Sequence, residues 1–140
     1  MAILLDTQAL IWALFDDPRL SDQISKLIAD SDIAYVSVAS IYEIDFKRRD
    51  PARARAARDD LLLRMPPDLP AFLPGLDYVL LPIDAEVAWR AARLPIDHGD
   101  PWDRIILTQA MQLGVPLISA DRALARAASA HPDTAGVIVF

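Results

Sequence analysis

Five acidic residues carry the chemistry this sequence offers: Asp6, Glu43, Asp100, Asp103 and Asp121. Asp6 ends the apolar run Ile3-Leu4-Leu5, and Asp121 lies just past Val115 to Ser119. Asp100 and Asp103 are three apart where a helical pattern begins, so they share a face. Carboxylates gathered at one place repel one another unless a hard cation neutralises them, and oxygen donors suit Mg²⁺ or Mn²⁺. Such an ion polarises a phosphate, makes a nucleophile of water and stabilises the leaving oxygen, which is what phosphoryl chemistry needs. Cysteine is absent, which removes thiol nucleophiles, disulfide frameworks and zinc fingers. Of the two histidines, His98 stands alone in a loop and is read as structural, and His131, before Pro132, as a connector.

Each acid also has a plainer use. Asp6 and Asp121 could cap the helices that follow them, and Asp100 before Pro101 is an ordinary N-cap. Asp103 would favour the positive end of a helix dipole. Ser40-Ile41-Tyr42-Glu43 fits a capping box, with Glu43 in the first turn and reaching back to a backbone N–H. Caps, however, need neither a common edge nor acidic companions.

The elements that must position these residues alternate. Short apolar strands are expected at Ile3–Leu5, Ile33–Val38, Tyr78–Ile83, Val115–Ser119 and Gly136–Phe140. Between them lie amphipathic helices: one with Leu10, Ile11, Leu14 and Phe15, one capped by Ser21, one with Ile41, Ile44 and Phe46, and one from Pro51 to about Met65. Pro66, Pro67, Pro70, Pro74 and Gly75 predict a loop without regular structure. Asp84 and Pro101 open two further helices, the second ended by Gly114 as a C′ glycine. This order predicts an α/β fold with a mainly parallel sheet covered on both faces. Ligands bind such sheets outside the carboxyl ends of the strands, which is where the acids fall.

The chain has 140 residues, 54% of them hydrophobic, the size of one domain spanning 1–140 with its own core. The first residues carry no basic n-region and reach Asp6 at once, and no run of 18 apolar residues occurs, so a cytoplasmic protein without signal peptide or membrane span is expected. Net charge is −6, against a general basic nucleic-acid surface. The bases are nonetheless clustered. Between Lys47 and Arg64 there are seven basic residues and three acidic ones, which predicts either a solvated helix face or a surface for RNA phosphates or an acidic partner segment, with Lys47, Arg53 and Arg58 as contacts.

Four strings, Leu4-Leu5-Asp6-Thr7, Val36-Ser37 to Ser40-Ile41-Tyr42-Glu43-Ile44, Asp100-Pro101-Trp102-Asp103-Arg104 and Ile118-Ser119-Ala120-Asp121, together resemble a PIN domain. More narrowly they resemble the VapC-type ribonuclease toxins of bacterial toxin–antitoxin systems, end to end and in the same order. The resemblance implies a three-layer α/β/α sandwich on a parallel sheet of about five strands. It also implies a Mg²⁺- or Mn²⁺-dependent endoribonuclease, a homodimer and a VapB-type antitoxin seated in the active-site groove. Carried over residue by residue, Asp6, Glu43, Asp103 and Asp121 form the acidic quartet that is both catalytic and metal-binding, and Asp100 is an added outer ligand. Thr7 and Ser119 match hydroxyl positions that orient the carboxylates. Tyr42 stands where Trp is common and Trp102 where Phe is common, changes beside the acids that touch groove shape.

Two other classes compete. A catalytically silent PIN domain, acting as an RNA- or protein-binding module, would have lost a core acid, and none is lost. A Mg²⁺-dependent phosphatase or receiver domain would show Asp-x-Asp after the first strand or a lysine late in the chain. Here the first strand is followed by Asp6-Thr7-Gln8, and the last lysine is Lys47. Trp12, Trp89 and Trp102 have rings that could stack on bases, but Trp12 and Trp89 fall within helical patterns and read as core or interface. Trp12 and Leu63 are apolar candidates for a dimer contact.

Overall fold

The computed structural model describes residues 1–56 and 60–140. Its elements run β1 (Ala2–Leu5), α1 (Thr7–Leu14), α2 (Asp22–Ala29), β2 (Ile33–Ser37), α3 (Val38–Arg48), α4 (Pro51–Ala56), α5 (Leu61–Arg64), α6 (Leu69–Gly75), β3 (Tyr78–Leu81), α7 (Ala85–Ala92), α8 (Pro101–Leu113), β4 (Leu117–Ile118), α9 (Arg122–Ser129) and β5 (Ile138–Val139). The strands form one sheet in the order β3-β2-β1-β4-β5, and every pairing is parallel. The expected α/β class and parallel five-stranded sheet are therefore observed.

The side-chain period of two along each strand divides the core. Ile3, Leu5, Val36 and Ile118 face a layer with Leu10, Ile24, Ile44, Leu62, Leu69 and Leu73. Leu4 and Leu117 face the opposite layer, with Ile106, Leu107, Ala110 and Leu124. Ile3, Leu4 and Leu5, at successive positions of β1, are thus all buried, the pattern of a strand covered on both faces. No helix among the described residues is long and apolar enough to cross a membrane.

Three local expectations are corrected. Helix α3 starts at Val38, not after Ser40: Ser37 is its N-cap, with its hydroxyl accepting from Ala39 N at 3.1 Å. Ser40 is inside the helix and fully buried, so no capping box exists there and Glu43 lies beyond the first turn. The single helix expected from Pro51 to about Met65 is interrupted at Asp60, a turn residue before α5, while residues 57–59 of that stretch lie outside the described residues. The proline-rich stretch does hold a helix, α6. Asp68 caps it by accepting from Ala71 N at 3.2 Å, and Pro70 sits in the first turn, where a missing N–H costs nothing. Leu69 and Leu73, one turn apart, are buried. That burial, about 1.5–3 kcal/mol for each side chain, offsets the roughly 3 kcal/mol cost of an inner proline at Pro74.

Candidate metal centre at the sheet edge

Because β1 has β2 on one side and β4 on the other, the chain reverses its winding direction at β1, and a crevice opens at the carboxyl ends of β1 and β4. Asp6 follows β1 directly, and Ser119-Ala120-Asp121 follows β4. A cleft of about 440 Å³ at this edge is lined by Asp6, Glu43, Asp100, Asp103 and Asp121, with Lys47 among them. The structure thus brings all five acids singled out in the sequence to one place.

Capping and convergence occur together. Asp6 Oδ1 accepts from Ala9 N at 2.7 Å, Asp100 Oδ1 from Trp102 N at 2.9 Å and Asp103 N at 3.1 Å, and Asp121 Oδ1 from Ala123 N at 2.8 Å and Leu124 N at 3.0 Å. Each cap uses only Oδ1 of its carboxylate. Asp103 stands in the first turn of α8, at the positive end of that helix. Glu43 comes from α3, where Lys47 Nζ approaches its Oε2 to 2.9 Å.

The electrostatics follow from burial. Asp6 is almost inaccessible, and its pKa is raised from 3.8 to about 6. Burial is the main cause; hydrogen bonds from Ser119 and Ala9 N oppose it, and the charges of Asp103 and Glu43 add to it. The Asp103 pKa is also raised, first by burial and then by Asp100 and Asp121, against a hydrogen bond from His98. Negative charge is in excess here.

The hydroxyls differ from one another. Ser119 touches two acids, hydrogen-bonding the Asp6 side chain and accepting from Asp121 N at 3.1 Å. Thr7 was expected to orient a carboxylate, yet its Oγ1 donates to Ser40 Oγ at 3.0 Å and ties α1 to α3. A short polar side chain at the start of α1 reaches the neighbouring helix before it reaches an acid. Of the expected basic contacts, Lys47 lines the cleft. Arg53 stands outside it, paired with Asp50 at 3.3 Å and lying over the Phe46 ring. Arg58 lies outside the described residues.

His98 is the residue that sequence reasoning passed over. Its Nε2 is 2.7 Å from Asp103 Oδ2, and a ring nitrogen of His98 and one oxygen each of Asp103 and Asp121 lie within 4.8 Å of one another. Its position five residues before an Asp at a helix start was the available signal. The aromatic residues beside the acids form a partly exposed row, with Tyr42 tilted on Trp102 at 4.9 Å and stacked on Phe46 at 5.6 Å.

Residues 3–130 match the PIN domain family. The chain belongs to that family. Set against curated proteins, this PIN domain has no match. Among solved structures it is similar in fold to a chain of VapBC2 from Rickettsia felis, whose crystal structure was determined bound to a DNA fragment from their promoter. The likeness has a TM-score of 0.62 at 14% identity and covers 99% of this chain and 98% of that one. The acids of this PIN domain therefore sit on a fold that is shared with that structure.

Proposed function

We propose that this PIN domain, residues 1–140, is a metal-dependent endoribonuclease that acts as the toxin of a VapBC-type toxin–antitoxin pair in the cytoplasm. The observation that carries the reading is the convergence of Asp6, Glu43, Asp103 and Asp121 on one cleft, with Asp6 so buried among like charges that its pKa rises to about 6. The donor set fits a hard divalent ion. It consists of carboxylate oxygens in excess of positive charge, the set that suits Mg²⁺ or Mn²⁺.

Asp6, Asp103 and Asp121 would hold the ion, through the oxygens that capping leaves unused at Asp6 and Asp121. Glu43 would complete the set or orient the attacking water, and Asp100 would add charge from the rim. When bound, a divalent ion supplies positive charge to the phosphate and the leaving oxygen and lowers the pKa of water. Lys47, which also lines the cleft, would meet the RNA phosphate. Because Ser119 touches both Asp6 and Asp121, it would keep two ligands in fixed relation, the supporting role common around metal sites.

The likeness to VapBC2 supports a VapB-type antitoxin as partner, and exposed Leu63 with partly covered Trp12 supports a homodimer. The test is cleavage of single-stranded RNA by purified protein. Cutting should require Mg²⁺ or Mn²⁺, leave 5′-phosphate and 3′-hydroxyl ends, and stop on Asp103→Asn substitution. Cutting that persists in excess EDTA would overturn the reading.

A further inference from the structure

Arg104 follows Asp103 in α8, and its guanidinium is spent on backbone rather than on an acid. Nε donates to Ala91 O at 3.0 Å, Nη1 to Ile96 O at 3.1 Å and His98 O at 2.9 Å, and Nη2 to Leu94 O at 2.6 Å and Ala92 O at 3.4 Å. A guanidinium has five N–H donors in a fixed fork, and here those bonds gather the end of α7 and the connection to α8 around one planar group. The carbonyl of His98 is among the acceptors, so the brace fixes the backbone from which the imidazole projects. That imidazole then returns to α8 and meets Asp103 Oδ2 at 2.7 Å. Both side chains are largely covered, 12% and 24% exposed. Among the described residues, His98 is the one hydrogen-bond partner of the Asp103 carboxylate.

We infer that His98 is a positioning residue: its Nε2–H holds Asp103 Oδ2 and thereby fixes the carboxylate whose other oxygen is left for the cation, with Arg104 as the brace that places His98. The inference rests on the proposed role of Asp103 as a ligand. A carboxylate in the first turn of a helix that lacked this bond would sample several rotamers, and each cation-binding event would have to order it. Direct ligation by the imidazole is the competing role, but Nε2 already stands at hydrogen-bond distance from an oxygen, and the other donors are the oxygens a hard cation prefers.

The experiment is Mn²⁺ binding to the full chain, measured by electron paramagnetic resonance and calorimetry, with thermal melting in EDTA as a check on folding. Asp103→Asn and His98→Ala should each weaken binding, the latter about 10–100-fold, as loss of a ligand's hydrogen-bond partner does. His98→Gln keeps an N–H donor close to the position of Nε2 and should recover most of the affinity. Pulsed resonance on the wild type should lack the nitrogen coupling of a directly bound imidazole. Wild-type affinity in His98→Ala, no recovery in His98→Gln, or a directly bound imidazole signal would each overturn the positioning role. Wild-type affinity in Asp103→Asn would instead remove Asp103 from the ligands, and the inference with it.

Discussion

Lys47 Nζ stands 2.9 Å from Glu43 Oε2, one helical turn along α3, and it is the only basic side chain among the described residues that line the acidic cleft. The pair gives the metal-free site a partial counter-charge. It also makes one cation compete with another, since whatever Lys47 neutralises at Glu43 a divalent ion would neutralise better.

Lys47→Met should therefore act in opposite directions on two ligands. Divalent-ion affinity should rise modestly, because Glu43 is released. RNA affinity should fall, and the slope of log affinity against log salt should shrink by roughly 0.7 for the loss of one phosphate contact on a single strand. Filter binding of an RNA oligonucleotide across a salt series, with calorimetry of the ion, checks both. A weaker ion affinity would mean that Lys47 supports the acids instead of competing for one.

Arg53→Glu should matter less than Lys47→Glu. Its guanidinium is engaged by Asp50 and the Phe46 ring and stands outside the cleft. The same salt series should leave its slope within error of the wild type. A large loss of slope would revive Arg53 as a phosphate contact.

Asp6 links the site to stability. Its pKa is about 6 in the folded protein against 3.8 for the free side chain, so the folded state binds a proton more readily than the unfolded chain. Ionised Asp6 consequently destabilises the metal-free fold, and this loss develops as pH rises from about 4 to 6, reaching ~3 kcal/mol at pH 7. Urea unfolding in EDTA at pH 4 to 7.5 should show Asp6→Asn gaining on the wild type across that window and levelling off above it. A difference between the two proteins that does not change with pH would contradict this account. Adding Mg²⁺ should close the gap, since binding to the folded state alone stabilises the wild type.

The parallel sheet was readable because Leu4, Leu5, Val36, Leu117 and Ile118 are buried on either face, and fully covered strands leave uninterrupted apolar runs. The convergence of the acids was readable because a parallel sheet sends every strand end to one edge. What was hidden depended on contacts between distant residues. The proline-rich α6 forms because Leu69 and Leu73 find the core, a gain that no local propensity records. Thr7 bonds Ser40 across a sequence gap that spacing rules cannot span. Ser37 and Ser40 offer equal cap chemistry in sequence, and only the end of β2 at Ser37 decides between them. The place of His98 depends on Arg104 gathering the carbonyls of the preceding connection, and a motif match at Asp100–Arg104 does not state what its arginine holds.

A final prediction separates cap from charge at three positions. Asp6, Asp100 and Asp121 each accept backbone N–H groups through Oδ1, and asparagine caps a helix about as well as aspartate. Asn at any of the three should therefore preserve the fold, whereas Ala at Asp121 should cost about 0.5–2 kcal/mol of stability through the lost cap. Activity should divide differently. Asp6→Asn and Asp121→Asn remove ligand charge and should abolish RNA cleavage in folded protein. In Asp100 the capping bonds are already the main duty, and its charge acts on the site chiefly by raising the pKa of Asp103. Asp100→Asn should accordingly lower the Asp103 pKa and cost only a few-fold in cleavage rate at saturating Mg²⁺. Equal and complete loss in all three Asn variants would make Asp100 a direct ligand. Full activity in Asp6→Asn or Asp121→Asn would reduce that residue to a cap and leave the proposed site without one of its anchors.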